Sequence, residues 1–83
     1  MELTKQEYEV LYWIARNGLM DFDRLSANIP IATANKIIPK LEKKGLIKIS
    51  YREGKIYGFI ETELGNKTLE LEQYEDWYNE LGD

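Results

Sequence analysis

The sequence contains no cysteine and no histidine. Without cysteine there are no disulfides, no thiolate nucleophile and no zinc–thiolate site. Without histidine the chain lacks the commonest general base and the commonest metal ligand near neutral pH. Ser26 and Ser50 remain as candidate nucleophiles with no imidazole to activate them, and no glycine pattern of a phosphate-binding loop is present. An enzyme is therefore not expected, and neither is a cofactor. Glu72, Glu75 and Asp76 have helical spacing that would suit a cation, but an exposed acidic face is far commoner and no metal is expected. Nowhere does the chain approach the roughly 20 consecutive apolar residues of a membrane span. Met1-Glu2-Leu3-Thr4 lacks the basic-then-apolar order of a signal peptide, so a soluble, cytoplasmic protein is the expectation.

Net charge, −4 over 83 residues, conceals a sharp segregation. Residues 1–29 carry three bases against five acids, residues 30–55 seven against two, and residues 56–83 one against eight. A local basic surface attracts a polyanion independently of distant acids, because the Debye length is only about 8 Å at physiological salt. The length suits one small domain whose single core is marginal, and oligomerisation is a common way to bury more surface. Apolar content of 43% and aromatic content of 12% fit a folded chain rather than a disordered one.

Thr4-Lys5-Gln6-Glu7 has the form of a capping box, which predicts a first helix ending near Asn17-Gly18. Tyr8, Leu11, Tyr12 and Ala15 make one apolar face of it, and Val10, Trp13 and Ile14 a second, so both sides should be covered. Leu19-Met20 suits a short strand. Asp21 is a good N-cap for a second helix turning Phe22, Leu25 and Ile29 inward, and Asn28-Ile29-Pro30 marks a turn. A third helix should run from Ile31 or Ala32 to Lys44, with Gly45 as its stop. At 100° per residue Ala34, Ile38 and Leu41 share its inner face with Ile37 at the border, while Ala32, Lys36, Pro39, Lys40 and Lys43 share the opposite one.

Residues 46–52 and 55–61 read as a hairpin around Glu53-Gly54. A regular two-residue turn pairs Arg52 with Lys55, Ile49 with Gly58 and Ile47 with Ile60. That register puts Ile47, Ile49, Tyr51, Ile56 and Ile60 on one face and Lys48, Ser50, Arg52, Lys55, Tyr57, Phe59 and Glu61 on the other. Thr62 then caps a final helix reaching about Leu81. Leu64, Leu71 and Tyr78 repeat along it every seven residues, as do Lys67, Tyr74 and Leu81, with the lysine as misfit. The fold class expected is mainly α with a small β-hairpin (α+β).

This order of elements, with "TANKIIPKLEKKGLIKI" over Thr33 to Ile49, resembles the recognition helix and first wing strand of winged helix-turn-helix DNA-binding domains. "LEKKGLI", Leu41 to Ile47, is similar to small dimeric transcriptional regulators of the MarR and PadR types. "TELGNKTLE", Thr62 to Glu70, is similar to the segment that opens their C-terminal dimerisation helix. The resemblance implies a winged-helix DNA-binding core over residues 1–61 and a long dimerisation helix over 62–83, within one domain. It implies double-stranded DNA as partner, with helix three in the major groove and the hairpin wing on adjacent backbone or minor groove. Thr33, Asn35 and Lys36 would then reach base edges, Lys40 and Lys43 phosphates, and Arg52 and Lys55 phosphate or a minor groove.

Pro39 cannot bond to the carbonyl of Asn35 and should kink the helix, either to follow a groove or for packing, the latter preferred. Tyr57 and Phe59 could stack on bases, but packing under a neighbouring helix is the commoner fate of such residues. The surplus apolar surface of helix one and the C-terminal segment points to a homodimer through Trp13, Leu71, Tyr74, Trp77, Tyr78 and Leu81. The alternative function is a winged-helix module for protein–protein contact that binds no DNA. A small-molecule effector is possible, though no residue identifies one.

Overall fold

The computed structural model describes residues 2–18 and 21–82, apart from the side chain of residue 22. The short strand expected at Leu19-Met20 and the inward turn of Phe22 fall outside that description. Helix α1 (Lys5–Asn17) is followed by α2 (Phe22–Leu25), α3 (Ile31–Lys43), strands β1 (Ile47–Arg52) and β2 (Lys55–Glu61), α4 (Glu63–Leu69), a 3₁₀ turn (Glu72–Tyr74) and α5 (Glu75–Gly82). This is the α+β class read from the sequence, with a single two-stranded antiparallel hairpin among the described residues.

Local chemistry sets most of the boundaries. Thr4 Oγ1 accepts from the Glu7 backbone N–H at 3.1 Å, and Glu7 Oε1 accepts from the Thr4 N–H at 2.8 Å, completing the capping box of α1. Asp21 Oδ1 accepts from the Arg24 N–H at 2.8 Å and opens α2. That helix is only one turn long, yet Leu25 and Ile29 are buried as expected. At the other end of α3, Gly45 takes φ +77°, its N–H donates to Glu42 O, and the Leu46 N–H donates to Leu41 O. This paired closure, with Leu41 and Leu46 both fully buried, turns the chain directly from α3 into β1.

Helix α1 lies at the centre. Val10, Leu11 and Ile14 have no exposed surface, and Ala34, Ile37, Ile38 and Leu41 of α3, Phe59 of β2 and Leu69 of α4 close over the same core. Removing one such side chain, as in Leu41→Ala, costs about 2–5 kcal/mol in a well-packed site.

Two expectations are corrected. First, the hairpin register is regular only near its turn. Arg52 pairs with Lys55, but Ile49 faces Phe59 and Ile47 faces Glu61. Between Ser50↔Gly58 and Tyr51↔Ile56, β2 spends one residue more than β1, and that extra residue is Tyr57. The bulge exchanges the faces beyond it: Phe59 enters the core and Ile60 turns outward opposite Lys48. Second, the long C-terminal helix is not continuous. It breaks at Leu71, whose ψ of 139° is extended, and resumes through the 3₁₀ turn. The Tyr8 hydroxyl donates to Leu69 O at 2.7 Å, taking a carbonyl that an uninterrupted helix would bond four residues on. Helix α3 continues through Pro39, whose ring is exposed on the outer face.

Candidate nucleic-acid interface

The outer face of α3 follows from its inner one. With Ala34, Ile37, Ile38 and Leu41 buried, Lys36, Lys40 and Lys43 form a solvent-facing stripe in which Ala32 and Pro39 are also exposed. On an ideal helix these five lie within about 100° of one another. Asn35, exposed, and Thr33, half-buried, fall on opposite flanks of the stripe, roughly 100° and 60° from Lys36. Pro39 offers no N–H to the Asn35 carbonyl, so this face also carries an acceptor the helix does not bond in the usual way.

At the far end of β1, Arg52 and Lys55 are exposed cross-strand partners at the hairpin tip. Glu53 and Gly54 make the turn, both left-handed at φ +54° and +78°. The Arg52 guanidinium lies over the Tyr57 ring, 4.7 Å from its centroid.

Ion pairing separates the lysines, and with them Arg52, into two sets, while Arg16 and Arg24 also lack a carboxylate partner among the described residues. Lys5 pairs with Glu80 at 3.0 Å, Lys67 with Glu63 at 3.3 Å, and Lys44 with Glu7 at 3.1 Å. Among the described residues Lys36, Lys40, Lys43, Lys48, Arg52 and Lys55 have no carboxylate partner. Glu7 is nearly buried, and burial pushes its carboxyl up. The Thr4 backbone N–H and the Lys44 ammonium outweigh this and hold it below the ordinary carboxylate value. Lys44 therefore clamps the end of α3 to the start of α1 and leaves the unpaired set, although the bases before and after it in sequence, Lys43 and Lys48, belong to it.

Sequence reasoning missed Lys48 as a member of this surface and Tyr57 as the support of Arg52. Alternation along β1 already placed Lys48 beside Arg52. The signal for Tyr57 was Gly58, since an isolated glycine in a strand commonly marks a bulge. Tyr57 is 48% exposed and packs under no helix, whereas Phe59 is fully buried, so the two residues have opposite fates.

Residues expected at a dimer interface are divided. Tyr74 is buried within its own chain, its hydroxyl accepting from the Leu3 N–H at 2.8 Å and its ring stacked on Trp77 at 5.4 Å. Tyr8 meets both rings, at 5.1 and 5.6 Å, and burial pushes its hydroxyl up to about 12, which keeps it a neutral donor. Trp13, Trp77 and Leu81 are partly buried against the same core. Leu71 and Tyr78 stay exposed, at 44% and 47%. The face of α1 that carries Tyr8 and Tyr12 is thus covered by the chain's own C-terminal segment. Where that segment breaks, a cleft of about 400 Å³ opens between Leu69, Leu71, Glu72, Glu75 and Tyr78.

No helix among the described residues is long and apolar enough to cross a membrane. No protein-family model matches the chain, and no curated protein sequence is similar to it.

Proposed function

We propose that the protein is a transcriptional regulator that binds double-stranded DNA, with α3 in the major groove and the β1–β2 hairpin on the adjacent backbone or minor groove. The observation that carries this reading is the contrast in pairing. Lys5, Lys44 and Lys67 have carboxylate partners, while six of the eight cations without one among the described residues lie on α3 and the hairpin, the other two being Arg16 and Arg24. An acidic protein that gathers most of its unneutralised bases on one helix and the hairpin after it is suited to a polyanion. In this reading Asn35, Thr33 and Lys36 reach base edges, and Lys40, Lys43 and Lys48 meet phosphates. Arg52 and Lys55 hold the flanking backbone or groove.

A second copy would use what the C-terminal segment leaves uncovered, Leu71 and Tyr78, and sedimentation at micromolar concentration reads its presence directly. The alternative, a protein-contact module, draws on Tyr51 and Ile56, which point away from the core near the hairpin tip and are 61% and 41% exposed. Selection from a random duplex pool at about 50 mM salt, a concentration low enough to favour phosphate contacts, decides between them. Enrichment of a common site is expected; a pool with no retained duplex supports the protein-contact reading instead.

A further inference from the structure

We infer that Tyr57 is the positioning residue of the hairpin tip: the bulge seats its ring against Arg52 and so fixes how that guanidinium is presented to DNA. The inference rests on the DNA-binding reading above and adds a residue that contributes no charge and need not touch the nucleic acid.

Three observations converge. The ladder jumps from Ser50↔Gly58 to Tyr51↔Ile56, which lifts Tyr57 out of the pairing and onto the side where Arg52 projects. The guanidinium carbon stands 4.7 Å from the ring centroid, inside the roughly 6 Å at which a ring face attracts a cation. Arg52 is also directly opposite Lys55, and like charges across a strand pair repel. Without a counterweight, Arg52 would swing away from the tip.

The choice of partner matters. A carboxylate would hold Arg52 equally well, but would cancel its charge and occupy the donor fork that matches a phosphate. A ring face does neither, because the five N–H donors lie in the guanidinium plane and stay free. Among the described residues no carboxylate pairs with Arg52, although Glu53 is its neighbour in sequence. The order of Arg52 is therefore established before DNA arrives, and the ordering cost is not charged against binding.

The test is a double-mutant cycle on duplex affinity, using a duplex recovered by selection. Tyr57→Leu keeps an apolar side chain on the bulge, and its melting temperature reports whether the fold survives. An exposed cation–ring contact is worth about a 2- to 5-fold change in affinity. Tyr57→Leu should weaken binding by that factor, Tyr57→Phe should restore it, and Tyr57→Leu should have no effect once Arg52→Ala is present. In the free protein, the Arg52 side-chain protons should show an upfield ring-current shift that persists in Tyr57→Phe and vanishes in Tyr57→Leu. If Tyr57→Leu binds as tightly as the unaltered protein, or weakens the Arg52→Ala protein equally, the positioning role is overturned while DNA binding stands. If the unaltered protein retains no duplex, the DNA reading fails and this one with it.

Discussion

Salt dependence is the most direct measure of the basic surface, and its size follows from which cations are free. Six on α3 and the hairpin are unpaired among the described residues: Lys36, Lys40, Lys43, Lys48, Arg52 and Lys55. If each neutralises one phosphate, log K falls against log salt with a slope of about −5.4 per protomer, at about 0.9 per contact on B-DNA. If Lys36 contacts only bases, the slope is about −4.5. Either value predicts a loss of about 10³-fold between 50 and 200 mM salt. Fluorescence anisotropy of a labelled duplex across that range gives the slope. Lys40→Ala should make it shallower by about 0.9, the share of one phosphate contact. Lys44→Ala should leave the slope unchanged and lower the melting temperature instead, because it strands the Glu7 carboxylate in a nearly buried site. A total slope shallower than about −2, or a Lys44→Ala slope as shallow as that of Lys40→Ala, would refute the assignment of charges.

Other expectations concern the scaffold. A Cβ at Gly65 would overlap the carbonyl oxygen of Leu46, which already accepts from the Thr62 N–H at 3.0 Å. Gly65→Ala should therefore cost about 1–3 kcal/mol as overpacking, lowering the thermal midpoint by about 5–20 °C in circular dichroism; an unchanged midpoint contradicts the close approach. Glu7 is held below its ordinary 4.5, so its contribution is complete above that value and disappears as pH falls through the lower folded one. Glu7→Gln should lose stability at pH 7 and show a weaker acid-side decline in a series of melts. Glu61 is the reverse case: burial pushes its carboxyl up and leaves Oε2 without a hydrogen bond, so Glu61→Gln should melt higher at pH 7, the gain fading as pH falls through the raised folded value and gone below the ordinary 4.5. Glu53 sits at φ +54°, which asparagine tolerates better, so Glu53→Asn should raise stability by up to about 1 kcal/mol and tighten duplex binding by removing an acid from the tip.

What could be read from the sequence was whatever a few adjacent residues decide. The capping box needs only Thr4 and Glu7, and the end of α3 needs only Gly45 with two leucines around it. The outward lysine stripe follows from the period of one helix. Reading failed where a distant contact intervened. Leu64, Leu71 and Tyr78 suggested an unbroken seam, but the Tyr8 hydroxyl reaches Leu69 from 61 positions away and the helix stops there. The register was right at the Glu53-Gly54 turn and wrong from Tyr57 onward, because one inserted residue reverses every side chain after it. Lys44 looked like its basic neighbours, and only the fold brings Glu7 to it.

The Leu3–Tyr74 hydrogen bond and the Lys5–Glu80 pair join the two ends of the chain. A ribosome therefore makes the central helix long before it makes the aromatic side chains that cover it. Until Tyr74 and Trp77 have emerged, Tyr8 lacks the two rings it rests against, and the nascent protein presents that greasy flank to whatever is nearby. Covering of that flank is postponed until residues 74–80 have been made.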